Sequence, residues 1–104
     1  MFEVTFVLNI FDAEVARSDV RFAVLQRQST LPFVPVVGHS ISWERDPSRK
    51  LTSVTWNVHE SVFICKVADE FPDNISLDGM DFEELVEHTQ SRGWELIRIF
   101  ERQP

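Results

Sequence analysis

Little in this chain could fasten a fold covalently or through a metal. Its one cysteine, Cys65, excludes an internal disulfide and any zinc site built from several thiolates. Positive charge is scarce as well. Ten Lys and Arg face 17 Asp and Glu, for a net charge of -7 and a sequence pI near 4.8. A protein that grips a phosphate backbone carries the opposite balance, so direct nucleic-acid binding is not expected. No apolar run approaches the roughly 18 residues that a membrane helix needs. The apolar start, Met1 to Ile10, contains Glu3 and lacks the basic n-region and small-residue cleavage site of a secretory signal. The expectation is a cytoplasmic protein that makes no membrane contact.

What remains is an ordinary globular composition: 43% hydrophobic and 26% charged over 104 residues. At 12.1 kDa the chain has the size of one domain, residues 1–104, with an apolar core and no repeats, linkers or low-complexity tracts. Phe2, Val4, Phe6, Leu8 and Ile10 alternate with more polar positions, the period of a half-buried strand. Val20 to Gln28 also alternates. Ala13, Ala16, Val20, Ala23 and Val24 fit a helix face too, but the strand is the favoured reading there. Pro32 and Pro35 make Leu31 to Gly38 an extended edge or a covering loop. Ile41 with Trp43, then Val54, Trp56 and Val58, mark two further strands separated by an Asp46-Pro47-Ser48 turn. Val62 to Ala68 is almost wholly apolar, as in a central strand covered on both faces.

One helix is well signalled, over about residues 81–92. Asp81 is an N-cap residue with Glu84 three positions on, and Phe82, Leu85, Val86 and Thr89 form an inward stripe. Gly93 is its natural stop, and Trp94 to Phe100 a last strand. The expected fold is α+β: a mainly antiparallel sheet of five to six strands, one C-terminal helix packed on a face, and a final strand.

Motifs for chemistry are incomplete. Gly38-His39-Ser40-Ile41-Ser42 begins like a nucleophile elbow, but the last glycine is missing and the segment enters a strand. Cys65 lies in the most apolar stretch, where desolvation favours the unreactive thiol over a Cys–His pair. His39, His59 and His88 lack ligand spacing, so no metal or cofactor is expected. Asn74, Ser76, Asp78 and Gly79 resemble the start of a calcium loop, but its bidentate acid would fall on Leu85. Asn74-Ile75-Ser76 is a glycosylation sequon in form only. Trp43, Trp56 and Trp94 lack the basic cluster of a base-stacking platform and read as core residues.

Charge placement is the strongest anomaly. Residues 69–87 hold eight of the 17 acidic residues and neither Lys nor Arg. The rest of the chain sets its 10 basic residues against nine acids. Such a segment is either a solvated face that keeps a small protein soluble or an acidic docking surface that steers a basic partner. The second reading leads to an expected function: a small non-enzymatic binding protein, of inhibitor, immunity-type or regulatory kind. Its partner would be a basic protein such as a nucleic-acid-processing enzyme. The candidate contact residues are Asp69, Glu70, Phe71, Asp73, Asp78, Met80, Glu83 and Glu87, with Phe71 and Met80 as apolar anchors. The alternative is a small-molecule-binding or enzymatic α+β domain with a pocket between sheet and helix, lined by Trp56, Trp94 and His59. A homo-oligomer formed through an exposed strand edge is a third reading.

Overall fold

In a computed structural model that describes residues 1–16, 19–72 and 79–101, the alternating N-terminal segment is strand β1, Phe2–Phe11. Its even-numbered side chains from Val4 to Ile10 are buried, and Phe6, Leu8 and Ile10 have no exposed surface. The chain returns as β2, Phe22–Leu31, antiparallel to β1, with Leu8 opposite Leu25 and Phe11 opposite Phe22. Strand alternation, not the helical spacing, therefore governs residues 22–31.

From the end of β2 the chain passes over to the opposite side of the sheet. Pro35 is buried on the way, and Gly38, at φ +96°, turns the chain so that its N–H donates to Leu51 O at 2.9 Å. The proline segment is thus a covering loop rather than an edge strand. β3 is only Ser40–Ile41, shorter than the sequence pattern indicates. Trp43 leaves the strand and lays its ring edge-on against Phe6, with centroids 4.8 Å apart, because that aromatic contact lies over the core. β4, Arg49–Asn57, begins before the alternation of Val54, Trp56 and Val58, and β5, Val62–Val67, pairs antiparallel with it.

β5 also pairs with β1, in parallel, so the sheet is mixed. Helix α1, Phe82–Ser91, then leads to β6, Glu95–Phe100, which adds to β2. The order across the sheet is β3-β4-β5-β1-β2-β6. β5 is therefore central, as its apolar run indicates. Its alternate residues Val62, Ile64 and Lys66, on the face away from the helix, are half-buried rather than fully covered.

The helix forms as its residues dictate. The Asp81 carboxylate accepts the Glu84 N–H at 2.8 Å, and Phe82, Val86 and Thr89 are buried against the sheet with Leu85 beside them. Gly93, at φ +105°, ends it, and Trp94 is buried immediately before β6 begins. The core is one cluster between the sheet and the helix, bounded by Trp43 and Trp94.

Candidate functional site

The 69–87 segment divides into two parts with different surroundings. Its first residues are tied to the sheet. Asp69 lies 3.6 Å from Lys66 Nζ, and Glu70 accepts a hydrogen bond from the Arg49 guanidinium. The backbone of Glu70 runs alongside β1, accepting from Phe11 N and donating to Asn9 O, each at 3.0 Å. Phe71 stacks on Phe11 with centroids 6.1 Å apart. Asp73 and Asp78 lie outside the described residues, and Met80 is half-buried next to the helix cap.

The second part is the outward side of α1. Burial of its stripe against the sheet turns Glu83, Glu84 and Glu87 to solvent, because 3.6 residues per turn place them on the opposite arc. Glu83 has a cation near it: Arg21 Nη1 is 3.4 Å from its Oε1. The same arginine donates from Nε to Asp12 Oδ2 at 2.7 Å, and its guanidinium carbon sits 4.6 Å from the centre of the Phe82 ring. The bond to Asp12 is the main reason that the Arg21 pKa is raised above its ordinary value. The Glu84 carboxyl is raised from its ordinary value, first by the charge of Asp81, then by its hydrogen bond to Asp81, with desolvation and the charge of Glu87 adding to the effect. Negative charge is thus concentrated on this face beyond what the helix dipole calls for.

A second polar cluster lies in the interior, and the sequence patterns missed it. The Asp46 carboxylate has no exposed surface. It accepts Arg49 Nε and Nη2 at 2.8 and 2.9 Å and Trp94 Nε1 at 3.2 Å. Arg92 Nε stands 3.7 Å from it. Burial works to raise the Asp46 pKa, but the hydrogen bonds from Arg49 and Trp94 and the charges of Arg49 and Arg92 outweigh it and hold the carboxyl below its ordinary value. Two carboxylates and two guanidiniums balance, so the cluster joins the 43–49 loop, β4, Glu70 and the helix end without leaving net charge. Asp46 in Asp-Pro-Ser has the signature of an exposed turn residue. Only the long-range partners reveal its role.

An exposed apolar surface was also missed. Phe33, Val34, Val36 and Val37 on the covering loop are 44–58% exposed, and Trp56 is 47% exposed against Phe63. The available signal was Leu31-Pro32-Phe33-Val34-Pro35-Val36-Val37: a loop with that many apolar side chains cannot bury them all.

The residues proposed to line a pocket under the helix do not meet. Trp94 is buried against Trp43, Trp56 packs on Phe63, and His59 lies exposed in the β4–β5 turn. A cleft of about 450 Å³ lies elsewhere, between Glu3, Thr5, Gln28, Thr30 and Val62 on the sheet face away from α1. The Cys65 thiol is buried, and desolvation pushes its pKa up to about 11. Among the described residues no group of three or more His, Cys, Asp or Glu is placed to hold a metal ion. None of their helices is long and apolar enough to cross a membrane.

The fold and its polar groups therefore define an α+β domain whose mixed six-stranded sheet is covered on one face by a single acidic helix. No protein-family model, curated protein or solved structure matches the chain.

Proposed function

We propose that this is a non-enzymatic binding protein, an inhibitor-like or regulatory module that docks a basic protein partner through the outward side of α1. The observation that carries the reading is the exposure of Glu83, Glu84 and Glu87 on one helix, close enough to Asp81 for its charge to raise the Glu84 pKa. Such a concentrated field speeds the encounter with a cationic surface and orients it. A nucleic-acid-processing enzyme has a groove of that sign, and an acidic helix would occupy it in place of a phosphate backbone. Met80, half-buried beside the cap, and Phe71, half-buried against Phe11, supply the apolar contact that holds the complex once formed. Asp69 and Glu70 act less directly, since Lys66 and Arg49 already neutralise them.

The test is differential capture from native lysate, with the wild type against Glu83→Gln/Glu84→Gln/Glu87→Gln, followed by binding kinetics at two ionic strengths. The triple variant should associate about ten-fold more slowly at low salt, and added salt should bring the wild type towards it. A partner that binds both proteins with equal rates would leave the acidic face a solvated surface only.

A further inference from the structure

The two edges of the sheet are built differently. β3 is two residues long and follows a segment holding Pro32 and Pro35. β6 is six residues long, contains neither proline nor lysine, and exposes five of its six side chains. Among these, Ile97 is 48% exposed, Ile99 36% and Phe100 37%. Short strands, prolines, charged side chains and bulges are the usual protection of an edge. β6 is long and free of proline, and of these devices it carries two charges of opposite sign, Glu95 and Arg98, and one bulge.

Its one irregularity is a bulge, which changes which side chains share a face. β2 aligns Gln26 with Glu95, Leu25 with Leu96 and Val24 with Arg98, leaving Ile97 as the extra residue. Glu95 and Arg98 are three residues apart and would otherwise point to opposite faces. The bulge brings them to the same face, one alternation apart. A two-fold axis normal to the sheet, midway between them on the outer edge, therefore sets Glu95 of each copy opposite Arg98 of the other. Opposite charges meet twice, by symmetry.

We infer that two copies of this chain pair antiparallel through the outer edges of β6 and form one sheet that continues across both. The contact is isologous, as closed dimers require. It gives the outward N–H and C=O groups of β6 their partners and covers Ile97. The same register carries Phe100 of the second copy to the level of Gly93, where β6 has not yet begun. A polar cleft of about 300 Å³ between Gln26, Arg27, Gln28, Gly93 and Glu95 lies at that level. The ring of Phe100 is held by its own sheet, stacked on Phe22 with centroids 4.9 Å apart. This pairing does not use the carboxylates of α1, so it stands or falls separately from the acidic-face reading.

The experiment is sedimentation velocity over the accessible concentration range, with circular dichroism and thermal melting to verify folding. The wild type should be a dimer. Glu95→Arg and Arg98→Glu each place like charges opposite one another twice and should raise the dissociation constant roughly ten-fold. The double variant Glu95→Arg/Arg98→Glu restores both pairs with signs exchanged and should dimerise like the wild type. Arg98 also lies over the Phe100 ring, at 4.8 Å, so Glu95→Arg tests the edge with that contact left in place. Ile97→Lys should give a folded monomer. A monomeric wild type would overturn the inference. A dimer that both single reversals leave intact, or single reversals that the double variant does not rescue, would also overturn it.

Discussion

The Trp94 indole N–H donates to Asp46 Oδ2 at 3.2 Å, joining residues 48 positions apart and pinning the 43–49 loop to the junction of α1 and β6. That carboxylate is also the bidentate partner of Arg49, which is itself buried and bonded to Glu70. The helix is thus fastened at its C-terminal end by polar groups and along its length by apolar packing.

Breaking this cluster from one side should be costly. Asp46→Ala leaves the Arg49 guanidinium buried with its main partner gone, and should destabilise the fold by about 3 to 5 kcal/mol in urea unfolding. Trp94→Phe removes the donor to Asp46 together with part of a buried ring, and should cost about 1 to 3 kcal/mol. The folded Asp46 pKa is depressed, so its contribution is present above the unfolded carboxylate value. It is lost as pH falls through the lower folded value. The urea midpoint of the wild type should fall with acid in that window, and that of Asp46→Asn should depend on pH less there.

The helix ends make a second test. Asp81→Ala should cost about 1 kcal/mol through loss of the bond to Glu84 N–H. Leu85 is half-buried, so Leu85→Ala should cost about 2 kcal/mol, the low end for a core leucine. At Gly93 a β-carbon would combine φ +105° with an approach of 2.8 Å to Arg27 Nη1, which already donates to Arg92 O at 2.8 Å. Gly93→Ala should therefore cost at least about 1 kcal/mol, measured by the same unfolding curves.

Cys65 should behave as a structural thiol. Labelling by a small thiol reagent at neutral pH should be slow in the native protein and fast in denaturant, since burial raises the folded pKa to about 11. The raised folded value also sets a sign for stability. The buried thiol contributes fully below its ordinary pKa near 9.0, and that contribution is lost as pH rises from there towards about 11. Cys65→Ala should flatten the alkaline limb of the stability profile. Rapid native labelling would contradict this placement.

Local signals in the sequence were sufficient for β1, α1 and β6, because each is written in near neighbours. The alternation from Phe2 to Ile10, the Asp81 cap with its stripe and the Gly93 stop all act within a few residues. The same holds for the acidity of α1, since charges three and four apart on a helix share a face whatever the fold around them. Other features depended on partners distant in sequence. The parallel pairing of β1 with β5, the loss of Trp43 from its strand to the Phe6 ring and the burial of Asp46 are of this kind. The tertiary structure also separated the acids of 69–87: Lys66 and Arg49 hold Asp69 and Glu70 at the sheet, while Glu83, Glu84 and Glu87 face solvent. A local pattern records which face a side chain takes, but not which residue stands across from it. Chain entropy leaves many long-range pairings open until the core closes on one of them.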